Sequence, residues 1–173
     1  MDSILNILKE EEYAPYYANY LAKVSHSDII KTMINDLEEQ IKILEGIPEE
    51  KFSFRYQEGK WSIAELLQHI CDSETVFAYR ALSFSRNDKT NLPGFDENDW
   101  AKNASSDQLS KKNLIGLFKT TRNHTIALFK TFTNDQLMII GTANKTKMSV
   151  RAAGFTIIGH NRHHFEVLTN IYL

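Results

Sequence analysis

The chain has 173 residues, of which 42% are hydrophobic and 24% are charged, so its composition is that of a globular protein and excludes an intrinsically disordered chain. With 20 lysines and arginines against 22 aspartates and glutamates, the net charge of -2 gives no electrostatic reason to expect a nucleic-acid or anionic-membrane partner. The single cysteine excludes an internal disulfide and a zinc site built from cysteines. The length predicts one domain over residues 1–173.

The N-terminal segment lacks the basic start and unbroken apolar run of a signal peptide, and no later stretch approaches the roughly 18 apolar residues of a membrane span. We therefore expect a cytoplasmic protein with no membrane partner. Seven glycines and three prolines leave little turn chemistry for many short strands, which favours a few long helices.

The first predicted helix begins at Ser27 or Asp28, either of which could cap it, and ends at Gly46. The second begins with a capping box formed by Ser62 and Glu65 and covers residues 62–85. Apolar residues recur at helical spacing in both segments. They are Ile30, Ile34, Leu37, Ile41 and Leu44 in the first helix, and Ile63, Leu66, Ile70, Phe77 and Phe84 in the second.

The second half of the chain predicts two further helices and two long connections. Residues 86–101 contain the turn pair Pro93 and Gly94 and predict a long exposed loop, of the kind that often contributes to sites. A third helix is predicted over 107–132, and a connector with a short extended piece at 138–140 follows it. Ser149 then caps a last helix that runs to about Tyr172. Four long helices with long connections predict an all-α four-helix bundle.

Histidine is the residue type that points to chemistry, because three of the six histidines lie within residues 159–164. His160 and His164 are four residues apart, so on a helix they lie on one face, one turn from each other. His163 is also one turn from His160. The apolar positions of this helix place its buried centre on the side of His164, with His160 close by and His163 on the flank.

His69 is the candidate for a third ligand, because it lies at the edge of the apolar face of the second helix. Ligands to one ion in a bundle come from facing helices. Three neutral imidazoles with a fourth position left open describe a catalytic type of site for a divalent metal, with zinc or nickel as the expected ions. The structural alternative is that these are packed core histidines, since a lone histidine on an apolar face is usually one.

Two other metal chemistries fit the sequence less well. A zincin needs His-Glu-x-x-His, but the residue after His160 is Asn161. A di-iron carboxylate bundle needs a repeated Glu-x-x-His, which the sequence lacks.

At this point the sequence resembles the DinB-like superfamily, in particular its YfiT-like metal-dependent hydrolases, over most of the chain. The order and spacing of several short stretches carry the resemblance. They are Gly59-Lys60-Trp61-Ser62-Ile63, Leu67-Gln68-His69-Ile70, Asp72-Ser73-Glu74, Phe77-Ala78-Tyr79-Arg80-Ala81-Leu82, Pro93-Gly94-Phe95-Asp96, Trp100-Ala101, Met148-Ser149-Val150-Arg151-Ala152, Gly159-His160-Asn161-Arg162-His163-His164 and the tyrosine-rich Glu12-Tyr13-Ala14-Pro15-Tyr16-Tyr17.

The resemblance implies a four-helix bundle, commonly a homodimer, with three histidines on a divalent metal. Those ligands fall on His69, His160 and His164, the same three that the helical faces select. Members of the family include metal-dependent transferases that join low-molecular-weight thiols to electrophiles, and thiol-dependent isomerases.

Three charged residues of the second helix are candidates for supporting roles. Asp72, one turn from His69, could accept the second N–H of the imidazole, or it could be an exposed acid. Arg80 lies three turns from His69 along the same edge, where it could hold the carboxylate of a thiol cosubstrate or form an ion pair between helices. Glu74 could pair with a basic residue on a neighbouring helix.

The remaining chemically distinctive residues receive weaker interpretations. Cys71 lies nearly opposite His69 around the helix, so it is excluded as a ligand. Trp61 and Trp100 either wall the mouth of a pocket or pack against a neighbouring element. His26 and His124 show no partner in the sequence. Four tyrosines at nearly helical spacing predict core or interface positions: Tyr13, Tyr16, Tyr17 and Tyr20.

Two functions therefore compete. The first is an enzyme whose metal activates a small-molecule thiol, or water, for attack on a small electrophile. The second is a metal-binding stress or structural protein that turns over nothing. Nucleic-acid binding conflicts with the charge balance.

Overall fold

The computed structural model describes residues 4–25 and 28–173, so His26 and Ser27 lie outside the described residues. Its four long helices form the predicted four-helix bundle. They are α2 (Ile29–Gly46), α3 (Ile63–Ser85), α5 (Lys111–Phe129) and α7 (Val150–Val167). Three shorter α-helices accompany them in the described part of the chain: α1 (Ala18–Leu21), α4 (Glu97–Asn103) and α6 (Asn134–Leu137).

Capping side chains explain where the long helices begin. The Asp28 carboxylate accepts the backbone N–H of Lys31 at the start of α2. The predicted capping box at the start of α3 is confirmed, because the backbone N–H of Glu65 donates to the Ser62 hydroxyl over 3.1 Å and that of Ser62 donates to the Glu65 carboxylate over 2.8 Å. At the start of α7, the Ser149 hydroxyl accepts the N–H of Ala152.

The predicted start of the third helix at residue 107 is four residues too early. Ser110 caps α5 by accepting the N–H of Asn113, and a 3-10 turn, Ser106–Gln108, precedes that cap. Ser105 has a left-handed backbone with φ of 52°, which interrupts regular helix before the turn. At the other end of the chain, α7 gives way after Val167 to a π-helical turn, Leu168–Tyr172.

The two connections contain more regular structure than the sequence predicts. Residues 86–101 include strand β1 (Asn91–Leu92) and the start of α4, which Asp96 caps. The connector includes strands β2 (Ile140–Ala143) and β3 (Thr146–Ser149), where the sequence predicts one extended piece. Strand β1 pairs parallel with β2, and β2 pairs antiparallel with β3 with Gly141 opposite Met148.

Helix α3 packs against α5 and α7, and α2 packs against the same two helices. One cluster of buried apolar side chains joins the N-terminal segment, the sheet and the first half of α7, and a second lies between α2, α3, α5 and the C-terminus. No described helix combines the length and apolar character that a membrane crossing needs. The bundle thus brings the middle of α3 beside the second half of α7.

Candidate metal centre

Three histidine side chains converge where α3 packs against α7. The Nε2 atom of His160 lies 3.1 Å from Nε2 of His69 and 3.0 Å from Nε2 of His164. One ring nitrogen of each residue lies within 4.8 Å of the other two. Zinc–nitrogen bonds of about 2.0–2.1 Å in tetrahedral geometry separate ligand nitrogens by about 3.3 Å. The spacing therefore fits three ligands of one ion, and the arrangement supports a divalent metal.

The positions of these rings follow from helical geometry. His160 and His164 lie one turn apart on the face of α7 that packs on α3. His69 and His160 are 3% and 6% exposed, and His164 is half-buried. His163 lies on the flank, with its ring centroid 5.0 Å from that of His164, and its nitrogens are not part of the cluster. The choice of His164 over His163 from the helical phase is in accord with this arrangement.

Burial keeps the three imidazoles neutral. It lowers the pKa of His69 to about 4. Burial, followed by repulsion from His69 and His163, lowers the pKa of His164 to about 3. The same effects hold the pKa of His160 well below its usual value. Neutral imidazole is the form that binds a metal, so at pH 7 the cluster presents ring nitrogens without first losing protons.

Asp72 does not make the contact predicted for it. Its carboxylate accepts a hydrogen bond of 2.8 Å from the Gln68 amide, and in the described part of the chain no hydrogen bond joins it to His69. Burial raises the pKa of the Asp72 carboxyl. Asp72 is one turn along α3 from His69, but Gln68 turns its carboxylate to a different partner.

Arg80 is 3% exposed and is not ion-paired with any described residue, so the predicted alternative of an ion pair between helices is not realised there. Its Nη2 donates to the carbonyl of Pro93 over 3.0 Å, and its guanidinium carbon lies 5.1 Å from the centre of the Phe77 ring. Arg80 therefore connects α3 to the loop before α4.

Glu74 pairs with a basic residue of a neighbouring helix, as predicted. The Arg122 guanidinium donates from Nε and Nη2 to the Glu74 carboxylate over 2.9–3.1 Å, and both side chains are buried. The Asn161 amide donates to the same carboxylate over 3.2 Å. Because Asn161 follows His160, this network ties α5 and the histidine-bearing part of α7 to α3.

Aromatic rings surround the cluster. The Trp61 ring lies 4.6 Å from that of His69, and the Tyr20 ring meets the His160 ring edge-on at 5.2 Å. Trp100 instead packs on Phe95. The sequence gives Tyr20 no role at the site. Gly159 is the sequence signal that could have pointed to a close packing partner such as Tyr20. A Cβ at position 159 would lie 2.0 Å from the Tyr20 carbonyl oxygen, so α1 approaches α7 closely at that glycine.

The tyrosine-rich segment divides between core and surface. Tyr13 and Tyr17 pack against the buried core, whereas Tyr16 is 68% exposed. Cys71 is buried among apolar side chains on the other side of α3, and burial raises the pKa of its thiol. A buried thiol of high pKa is unreactive, which agrees with its exclusion as a ligand.

Two openings adjoin the cluster. A cavity of about 230 Å³ contains His160, Ser73 and Arg80 in its wall. A second, more open depression of about 300 Å³ contains His164 and Trp61. Different members of the histidine cluster therefore face two separate spaces through which small molecules could reach them.

Known proteins share both sequence and fold with this chain. A proposed metal-dependent hydrolase of Oceanobacillus iheyensis is 36% identical over 73 residues, which are 42% of this chain and 40% of that protein. The fold is similar to that of YfiT from Bacillus subtilis, described as a proposed metal-dependent hydrolase with an unusual four-helix bundle topology, with a TM-score of 0.71 and 19% identity over 92% of this chain and 91% of that one.

The fold is also similar to that of the mycothiol-dependent maleylpyruvate isomerase, with a TM-score of 0.66 and 10% identity over 82% of this chain and 60% of that one. Residues 36–168, which include all three clustered histidines, match the sequence pattern of the DinB superfamily. The chain therefore belongs to the DinB superfamily.

Proposed function

We propose that His69, His160 and His164 hold one divalent metal, zinc or nickel, and that the protein is an enzyme acting on small molecules. The observation that carries this proposal is the convergence of three neutral imidazoles, in which Nε2 of His160 lies 3.1 Å from Nε2 of His69 and 3.0 Å from Nε2 of His164. At these distances the three rings either share an N–H between neighbouring nitrogens or turn their lone pairs toward one ion. A divalent ion held by the three histidines would leave a fourth coordination position open.

Bound at this site, a divalent metal polarises its fourth ligand, a thiol or water, and lowers the pKa of that ligand. The residues of this chain supply the surroundings. Trp61 and Tyr20 cover the flanks of the cluster and limit its contact with bulk water. In a hydrolytic version of the reaction, the nearby Asp72 carboxyl could carry a proton. Burial raises its pKa toward neutral pH, where proton exchange is most useful to a reaction.

We infer that the reaction transfers a low-molecular-weight thiol to a small electrophile, with hydrolysis as the second form. The buried Cys71 cannot supply a thiolate, so the thiol arrives as a cosubstrate. The fold shared with a mycothiol-dependent isomerase supports the thiol form, and the names of two relatives support the hydrolytic form.

A non-catalytic role is the alternative, in which the site only stabilises the bundle. The cluster contains histidines alone, and Asp72 makes no hydrogen bond to it among the described residues, which favours this interpretation. The homodimer and the cytoplasmic location remain predictions from the sequence.

The metal content of purified protein tests the site. We expect about one metal ion per chain in the wild type and a loss of at least tenfold in His69→Ala, His160→Ala and His164→Ala. His163→Ala is the matched control, because His163 is on the same helix but outside the cluster. Equal metal content in all five proteins would exclude the site.

The reaction needs a separate assay. Conjugation of a generic electrophile is measured with a panel of cellular thiols, with and without chelator. We expect turnover with at least one thiol that the chelator abolishes. Turnover that is absent across the panel, or that the chelator leaves unchanged, would favour the non-catalytic role.

A further inference from the structure

One face of α3 carries a row of polar side chains that leads away from the histidine cluster. Ser73 and Arg80 are four and eleven residues beyond His69, and at about 100° per residue all three lie within about 40° of one another around the helix. Ser73 and Arg80 contribute with His160 to the wall of the 230 Å³ cavity. A cavity that shares these three residues in its wall is bordered both by the histidine cluster and by Arg80.

Each of these two residues has a polar atom without a partner among the described residues. Nε of Arg80 and Oγ of Ser73 are buried and make no hydrogen bond there, and the two residues are 3% and 2% exposed. Such groups are costly in a folded protein unless a water, an ion or a ligand completes their hydrogen bonding. Both can donate a hydrogen bond, so the missing partner is an acceptor.

The charge of Arg80 indicates which acceptor is missing. Its contacts are the Pro93 carbonyl, the Phe77 ring and the Tyr17 hydroxyl, none of which carries a formal negative charge at pH 7. A buried guanidinium is normally matched by an anion, and Arg122 of this same bundle is matched by Glu74. Arg80 is thus a buried cation that forms no ion pair with any described residue.

We propose that Arg80 and Ser73 form a subsite for the carboxylate of a small organic substrate whose other end lies against His160. The orientation toward His160 rests on the proposed function, whereas the carboxylate subsite itself does not. The exposed Glu97 also borders the cavity, and its negative charge disfavours a ligand with two negative charges. The charge of Glu97 therefore favours a ligand with one negative charge, a monocarboxylate, over inorganic phosphate.

The size and lining of the cavity narrow the substrate class further. A volume of about 230 Å³ is below the range of about 300–1,000 Å³ that holds drug-sized ligands, so the enclosed part of the substrate is small. Phe77, Phe95 and Tyr17 provide aromatic walls. The substrate is therefore a small carboxylic acid with an apolar or unsaturated body between the carboxylate and the reacting group.

Benzoate is the probe for the subsite, and calorimetry or protein-observed NMR measures its binding. Benzamide has the same shape without the charge, and inorganic phosphate is the competing oxyanion. We expect saturable binding of benzoate that is at least tenfold tighter than that of benzamide or phosphate. The titration is run on the protein as purified and again after chelator treatment, so that a carboxylate bound to a metal is distinguished from one bound to Arg80.

Arg80→Gln removes the charge, and Arg86→Gln is the matched control, because Arg86 ends the same helix at an exposed position. We expect benzoate binding to weaken at least tenfold in Arg80→Gln, a few-fold in Ser73→Ala, and not at all in Arg86→Gln. Ser73→Ala is a small change that keeps the test valid if Arg80→Gln does not fold.

Equal binding of benzoate and benzamide would overturn the subsite, as would benzoate binding that neither variant weakens or tighter binding of phosphate. Loss of metal binding with benzoate binding retained would leave the subsite in place and remove only the proposed function.

Discussion

Glu74 brings a carboxylate into the centre of the bundle, where its charge is matched by one guanidinium. Arg122 is the largest fully buried side chain among the described residues, and its Nη1 has no partner even in the presence of Glu74. Removal of the carboxylate charge would leave an uncompensated buried cation, which costs more than the ion pair itself contributes.

We expect Glu74→Gln to lower the free energy of unfolding by about 3–5 kcal/mol, measured by urea denaturation. The control is Glu166→Gln, which removes the exposed partner of Lys23 and is expected to cost less than about 1 kcal/mol. Similar losses in the two variants would show that burial does not govern the strength of the Glu74–Arg122 pair.

At the residue scale, helical periodicity in the sequence predicts on which side of a helix each side chain lies. The phase of α7 separates His164 from His163, and the phase of α3 sets His69 apart from Cys71. Periodicity does not predict the hydrogen-bond partner of Asp72, because Gln68 competes for this carboxylate from the same face of the same helix. The contact between Tyr20 and His160 depends on how two distant segments pack, and Gly159 indicates only that some backbone approaches α7 there, without identifying which.

At the scale of elements, Gly159 sets the distance between α1 and α7. A Cβ at this position would lie 2.0 Å from the backbone oxygen of Tyr20, which cannot move without the rest of its helix. This close approach brings the Tyr20 ring edge-on to His160, so the glycine helps to position an aromatic ring at the candidate site.

We expect Gly159→Ala to lower the free energy of unfolding by about 1–3 kcal/mol, because the added methyl group overpacks a backbone contact. Gly116→Ala is the matched control, since Gly116 lies in α5 and a Cβ added there would meet nothing within 4 Å, and it should stabilise the protein by about 1 kcal/mol. Thermal or urea denaturation measures both, and a stabilising effect of Gly159→Ala would contradict the close approach.

The N-terminal segment is fastened to the start of α7 by Glu12. The Glu12 carboxylate accepts hydrogen bonds from the Ser149 hydroxyl over 2.8 Å, from Nε of Arg151 over 2.7 Å and from the backbone N–H of Lys9 over 3.0 Å. Burial alone would raise the pKa of Glu12, but these hydrogen bonds and the charge of Arg151 outweigh it and lower the pKa below its usual 4.5.

This lowered pKa makes the contribution of Glu12 dependent on pH. A carboxyl whose pKa is lower in the folded state stabilises the fold at pH values above its unfolded pKa, and that stabilisation is lost as the pH falls through the folded pKa. We expect Glu12→Gln to cost about 2 kcal/mol at pH 7, the scale of hydrogen bonds to a charged group, and the difference from the wild type to shrink steadily below pH 4.5 in urea denaturation series. A difference that stays constant down to pH 3 would argue against the ion pair.

The starts of two long helices are predicted well because a side chain caps them, whereas the hairpin is predicted poorly because its backbone turns without a glycine. The Ser62 and Ser149 caps give the starts of α3 and α7. The hairpin of β2 and β3 turns at Asn144 and Lys145, whose φ angles are 48° and 63°. Glycine usually occupies the second of these positions, so the lysine conceals the turn and its two strands from the sequence.

At the scale of the whole molecule, the histidine cluster joins two helices that are far apart in the chain. His69 and His160 are 91 residues apart, and the packing of α3 on α7 brings their Nε2 atoms to 3.1 Å. In the unfolded chain the three nitrogens do not form a preassembled site, so an ion that binds all three binds the folded state preferentially. Binding of such an ion would therefore be coupled to folding of the bundle.

We expect a divalent ion such as zinc, added to metal-free protein at 100 times its dissociation constant, to stabilise the fold by about 2.7 kcal/mol. For a chain of this length that is a rise in Tm of roughly 5–10 °C, measured by differential scanning calorimetry. His160→Ala should lose the rise because it removes the ligand common to both short Nε2 distances, whereas His163→Ala should keep it. An equal rise in Tm in His160→Ala would mean that the ion stabilises the bundle from another site and not through the histidine cluster.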